Sequence, residues 1–226
     1  MRLSIVIPVL NEAEALPATL RALPLQRGDC EIIVVDGGST DGTCDTLPSD
    51  PPVRVIRAAK GRAVQMNAGA GVATGDWILF LHADTLLPAD ALGCIAAVAA
   101  EGRCEAGAFR HRFTQPHWML SIVSAVNNVR CRCTRIFYGD QGIFVRRDLF
   151  DRLGGFPEVP VLEDILFSER LRRATRTALL DSKVLTDGRR FIELGIVRTS
   201  LRALYILACH QLRLPVSGRG FREEIR

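Results

Sequence analysis

Three apolar runs, Leu3 to Val9, Glu31 to Val35 and Trp77 to Leu81, constrain what this chain can fold into more than anything else in it. Each is continuous in large or β-branched residues instead of alternating with polar ones, the pattern of a strand buried on both faces, as in a parallel sheet. Val53 to Ile56 is a further strand. Helical stretches lie between them: the segment that follows Asn11 and Glu12 and runs through Leu23, then Gly61 to Ala73, and Pro88 to Ala100 beyond the third run. Pro17 allows the first of these only if regular helix begins beside it. The order βαβα predicts a parallel, doubly wound sheet with right-handed crossovers, and 226 residues suffice for one such domain.

The second half is less regular. Ala106 to Phe113 and Gly142 to Val145 are predicted strands. Trp118 to Val129, Glu163 to Ala174 (apolar face Ile165, Leu166, Leu171) and Val197 to Leu212 are predicted helices. No Pro- or Gly-rich linker divides the chain, so 1–104 and 105–226 read as two sides of one domain. Gly69-Ala70-Gly71-Val72-Ala73-Thr74-Gly75 closes a helix before a strand. A dinucleotide fingerprint has the opposite context, so helix packing and C-capping account for these glycines.

A composition of 48% hydrophobic and 24% charged residues is that of a globular protein, and a net charge of +4 gives no reason to expect a nucleic-acid partner. Lys60 and Lys183 are the only lysines, so guanidinium groups carry the positive charge and suit bidentate phosphate recognition. Seven cysteines at scattered spacings argue for a reducing, cytoplasmic setting over a disulfide framework. Cys131 and Cys133 form a C-x-C pair that would bind a soft metal only with a second pair at helpful spacing, which the sequence lacks. Met1 to Leu10 reads as a buried strand and not as a signal peptide, and no apolar run reaches the roughly 18 to 20 residues that cross a bilayer.

Chemistry concentrates at the strand ends. His82-Ala83-Asp84-Thr85 directly follows Trp77 to Leu81. A carboxylate beyond the carboxyl end of a buried strand suits a divalent metal set against a phosphorylated ligand, although turn formation or helix capping before Pro88 is the other reading. In order along the chain come Ser4-Ile5-Val6-Ile7-Pro8-Val9-Leu10-Asn11-Glu12, Val35-Asp36-Gly37-Gly38-Ser39-Thr40-Asp41-Gly42-Thr43, the His82 run, and Leu162-Glu163-Asp164. This ordered set, spread over roughly residues 3 to 190, resembles a family 2 glycosyltransferase of the GT-A fold. That fold is a Rossmann-like single α/β domain with a central, mostly parallel sheet flanked by helices. Lys60-Gly61-Arg62 with Gln65 and Asn67, Tyr138-Gly139-Asp140-Gln141-Gly142, and Gly188-Arg189-Arg190-Phe191 further resemble a small, soluble subset, some members of which are linked to arsenosugar biosynthesis.

The resemblance implies transfer of a sugar from a nucleoside-diphosphate sugar to an acceptor hydroxyl by metal-assisted, inverting single displacement. Residues 1–104 become the nucleotide-binding half and 105–226 the acceptor half. Pro8, Asn11, Glu12 and Asp36 map to the nucleoside pocket, plain turn duty being the other reading of Asn11 and Asp36. The D-x-D element maps to His82-Ala83-Asp84, so Asp84 alone would hold Mn2+ or Mg2+, and His82, in place of the first acid, falls to ribose or phosphate. Arg62, Arg189 and Arg190 are phosphate ligands or solvated surface. Asp164, with Glu163 before it, maps to the catalytic base, against the reading of a helix-start carboxylate. Asp140 and Gln141 are expected to shape the donor or acceptor pocket. The processive members' Q-x-x-R-W element is absent, so a small or lipid-linked acceptor is implied. Leu201 to Leu214 is apolar with Arg202, His210 and Arg213 interspersed, and fits core packing, a membrane surface or a second subunit. A sugar-nucleotide pyrophosphorylase would need a Gly-rich phosphate loop after the first strand, where Pro8-Val9-Leu10-Asn11 stands. A non-catalytic nucleotide-sugar binder would be expected to lack Asp84 or Asp164. A soft-metal protein would rest on Cys131 and Cys133.

Overall fold

A computed structural model describes residues 1–23, 28–47 and 53–212. The chain begins β1 (Leu3–Val9), α1 (Leu16–Ala22), β2 (Cys30–Asp36), a 3-10 turn at Thr43–Thr46, β3 (Val53–Arg57), α2 (Arg62–Val72), β4 (Trp77–Phe80), β5 (Thr85–Leu86) and α3 (Ala91–Glu101). It continues β6 (Ala106–Phe113), α4 (Trp118–Thr134), β7 (Ile143–Arg146), α5 (Arg147–Arg152), α6 (Glu163–Ala174), β8 (Thr177–Thr186), α7 (Arg189–Glu193) and α8 (Ile196–Gln211). Arg213 and Leu214, at the end of the apolar C-terminal segment, lie outside the described residues.

All eight strands join one sheet in the order β3-β2-β1-β4-β7-β6-β8-β5. The first four run parallel, with Leu3 opposite Cys30 and Trp77, and Val9 opposite Asp36. β7 inserts antiparallel between β4 and β6, β8 returns parallel to β6, and β5 closes the edge antiparallel to β8. The parallel sheet expected of the first half is therefore present, and the second half extends it as a mixed sheet.

The uninterrupted apolar runs are explained by two-sided burial. Leu3, Ile5, Ile7 and Val9 face one layer, where Leu16 and Leu20 of α1 and Leu92 and Ile95 of α3 pack. Val6, Ile33, Val35, Ile78 and Phe80 face the other, against Ala63, Met66 and Ala70 of α2 and a knot of Phe150, Phe156 and Phe167. Within that knot Phe156 meets Phe80 edge-on at 4.8 Å and Phe167 at 4.3 Å. Phe167 thereby anchors α6 one turn after Asp164.

Several elements depart from expectation, among them the short β5, α5 and α7, for which the sequence carries no signal. β8 was not anticipated, because Asp181, Ser182 and Lys183 break its apolar pattern near the sheet edge, with a register shift opposite Phe109 and Arg110. α4 runs five residues beyond Val129 and so takes in both Cys131 and Cys133. Two apart on a helix, these thiols diverge, Cys131 buried and Cys133 exposed, which argues against a shared soft metal. Core packing also describes only one side of α8: Ile206 and Cys209 are buried, while Val197, Leu201 and Leu204 are exposed. Among the described residues no helix is long and apolar enough to cross a membrane.

Candidate functional site

β1 and β4 are neighbours, yet β1 leads away to β2 and β3 before the chain returns, so the order reverses between them. Crevices at such switch points are where open α/β sheets bind ligands. A cleft of about 280 Å³ opens there, with Pro8, Val9, Leu10 and Glu12 beyond β1, and His82, Ala83 and Asp84 beyond β4. Gly61, Arg62 and Gln65 at the start of α2, Tyr138, residues 159–165, Arg190 and the inner side of α8 complete the wall.

Asp164 lies at the start of α6, preceded by Leu162 in the left-handed region (φ 68°). Its Oδ2 accepts from the Gly139 N–H at 2.7 Å and its Oδ1 from the Ile165 N–H at 2.8 Å, so the carboxylate is fixed in orientation. Burial pushes its pKa up to about 6, the adjacent Glu163 charge adding to the rise while the Gly139 hydrogen bond and Arg62 oppose it. Glu163 itself is buried and pairs with Arg62 at 3.3 Å. Gly139 has a second constraint: a side chain there would come within 2.6 Å of His82 Nε2. The His82 imidazole is held neutral, its pKa driven well below the ordinary value by burial and then by Arg62 and Arg190, and its Nε2 is buried without a hydrogen-bond partner.

Asp84 and Glu12 are also pushed upward. For both, burial is the main cause and Arg190 the main opposing one. Asp140 raises Asp84 further, and Asp84 raises Glu12. Arg190 pairs with Glu12 at 3.0 Å. Four carboxylates in the lining, Glu12, Asp84, Glu163 and Asp164, thus face two guanidiniums, Arg62 and Arg190. A relay of hydroxyls backs Asp84: Thr85 Oγ1 donates to its Oδ1 at 3.3 Å and lies 3.1 Å from Thr186 Oγ1, which donates to the Asp140 carbonyl at 3.3 Å.

Other expected residues brace the cleft more than they line it. Gln65, at the lining's edge, spends both amide hydrogens on the carbonyls of Val9 and Val35, tying the ends of β1 and β2. Asn67 grips Phe156 through its N–H and carbonyl, each at 2.9 Å, and Gln141 is buried between Phe109 and Tyr138. Asn11 and Asp36 hold the intervening turn: Asn11 Oδ1 accepts from the Thr40 N–H, and Asp36 Oδ1 accepts from the N–H groups of Gly38 and Ser39. Arg189 pairs with Glu14 and Asp187 outside the cleft, and the Asp140 carboxylate lies 3.5 Å from buried His111, with its Oδ1 buried and unpartnered. The sequence reading missed Tyr138, held under Arg130 at 3.8 Å, and the α8 wall of Ala203, Ile206 and Leu207. The first heads the Gly139–Gly142 motif, where nothing assigns it a role of its own, and the second lies in an amphipathic segment that carries no chemical signature.

The model of a family described as "Glycosyl transferase family 2" matches residues 4–154. A "PGL/p-HBAD biosynthesis glycosyltransferase" of Mycobacterium bovis is 43% identical over 106 residues, 43% of this chain and 41% of the relative. An "Undecaprenyl-phosphate 4-deoxy-4-formamido-L-arabinose transferase" of Serratia proteamaculans is 29% identical over 197 residues, 80% of this chain and 60% of the relative. The chain therefore spans about two to three fifths of the length of these curated relatives. Among solved structures, the mannosyltransferase PcManGT of Pyrobaculum calidifontis, in complex with GDP-Man and Mn2+, superposes with a TM-score of 0.66 at 23% identity, covering 81% of this chain and 56% of that one.

Proposed function

Because the chain belongs to glycosyl transferase family 2 and has the GT-A fold, we propose that it moves a sugar from a nucleoside diphosphate to an acceptor hydroxyl by inverting displacement, with Asp164 as the base. The observation that carries this reading is Asp164 itself: half-buried in the cleft, oriented by two backbone N–H groups, and raised to a pKa of about 6. A base poised near neutrality takes the acceptor proton while remaining deprotonated at working pH. The acceptor oxygen then bonds to the anomeric carbon as the carbon–oxygen bond to the diphosphate breaks, and the electron pair leaves with the phosphate oxygen. Arg62 and Arg190 face that leaving charge.

The lining suits a divalent cation only with few protein ligands, since among the described residues no three His, Cys, Asp or Glu are grouped to hold one. It holds more carboxylate than guanidinium, three of its acids are raised by burial, and a buried oxygen of neighbouring Asp140 has no partner. Asp84 would hold Mn2+ or Mg2+, whose few protein ligands fit this set, and the bound metal would neutralise the diphosphate's developing charge. In this reading residues 1–104 serve the nucleotide and residues 105–226 the acceptor, a small or lipid-linked molecule, and the protein is cytoplasmic, with the α8 segment contacting a membrane or a second subunit. Neutral His82 offers a hydrogen bond to ribose or phosphate.

Asp164→Asn keeps the size and removes the base. Transfer from nucleotide sugars is expected to fall by about 10²- to 10⁴-fold with donor binding retained. Near-normal turnover by folded variant would sink the assignment.

A further inference from the structure

α4 and α8 pack on each other through a small cluster of Met119, Leu120 and Val123 with Ile196, joined by Phe113 of β6 and Phe191 of α7. Each leaves its outer side apolar. On α4, Trp118, Ile122, Val126 and Val129 follow helical spacing and are 53% to 68% exposed. On α8, Val197, Leu201 and Leu204 repeat the pattern at 55% to 61% exposure. Neither helix contains an Asp or Glu, whereas exposed Arg132 lies on α4 and exposed Arg198 on α8. An extended apolar face with cationic flanks and no acid is the composition of a helix that lies in the headgroup region of an anionic bilayer. A water-facing helix would scatter these residues singly among polar ones.

The other side of α8 supplies the second argument. Ala203, Ile206 and Leu207 wall the cleft that holds Asp84 and Asp164. One helix therefore separates the site from the exposed apolar face, so an acceptor carried in a bilayer would be presented beside the cleft.

We propose that the outer faces of α8 and α4 dock the protein on an anionic lipid surface, placing the cleft at the bilayer for an acceptor anchored there. The lipid-borne acceptor rests on the transferase reading; the docking itself does not. The test is co-sedimentation of the full chain with phosphatidylcholine vesicles with and without phosphatidylglycerol, alongside Leu201→Glu/Leu204→Glu. Wild type is expected to bind the anionic vesicles at least roughly tenfold better than the neutral ones, as the arginines require, and to lose that preference in high salt. The double variant, at positions already exposed to water, is expected to keep its melting temperature and lose most of the binding. No binding by wild type, or equal binding by the variant, overturns the proposal. So does a wild-type dimer in sedimentation equilibrium that the same substitutions dissociate, since the face would then belong to a second copy. Nucleotide-sugar binding, measured without vesicles, fails only if the transferase reading is at fault.

Discussion

Asp164 holds its proton more tightly in the folded chain than an ordinary aspartate does, because burial and Glu163 disfavour its charge. Below about pH 4 it is protonated whether folded or not; as pH rises to about 6 the unfolded chain releases the proton first, so folding stability falls and then levels off. Asp164→Asn lacks this term. It has a pH-independent cost instead, since Asn offers one oxygen to the two N–H groups that Asp164 accepts. Melting temperatures of the two proteins are therefore expected to shift in the variant's favour between pH 4 and 7, and a constant gap would contradict the burial argument. Transfer by wild type is expected to rise with pH and level off above about 6. At this scale the acids stood out in the sequence as strand-end and helix-start carboxylates, and Asp84 and Asp164 both line the cleft. The amides did not. Gln65, Asn67 and Gln141 bind backbone groups up to 89 residues away, and no local pattern reveals such partners.

Most elements of the first half were legible because two-sided burial leaves its mark in nearly every residue of β1, β2 and β4, whereas the two-residue β5 is too short to carry one. β8 escaped because a partly exposed strand beside the edge tolerates a polar centre. The glycines of α2 separate two roles that the sequence merged. A methyl group on Gly69 would come 2.4 Å from Val6 and 2.9 Å from Val35, so this glycine lets the helix settle on the sheet. Gly71 has open space. Gly69→Ala is expected to lower stability by about 1 to 3 kcal/mol through overpacking, and Gly71→Ala to leave it unchanged or raise it by up to about 1 kcal/mol. Denaturant midpoints of the two variants check the contrast, and equal effects would place α2 farther from β1 than it is here.

For the molecule as a whole, the excess of carboxylate in the cleft would make the proposed ligand and metal binding interdependent. A nucleoside diphosphate entering beside Glu12 and Asp84 meets negative charge unless a cation intervenes. UDP or GDP is therefore expected to raise the melting temperature with Mn2+ present and to do so little or not at all after chelation. Equal shifts under both conditions would remove the metal from the proposal. The rim of the same cleft is clasped by Arg190 on Glu12 and Arg189 on Glu14, contacts spanning 178 and 175 residues of chain. The exposed Arg189–Glu14 pair contributes little energy, and such distant residues meet only after the sheet between them has assembled. The clasp should then be a late seam in folding and an early one to part under thermal agitation, so one side of the doorway to the cleft is hung on light stitching.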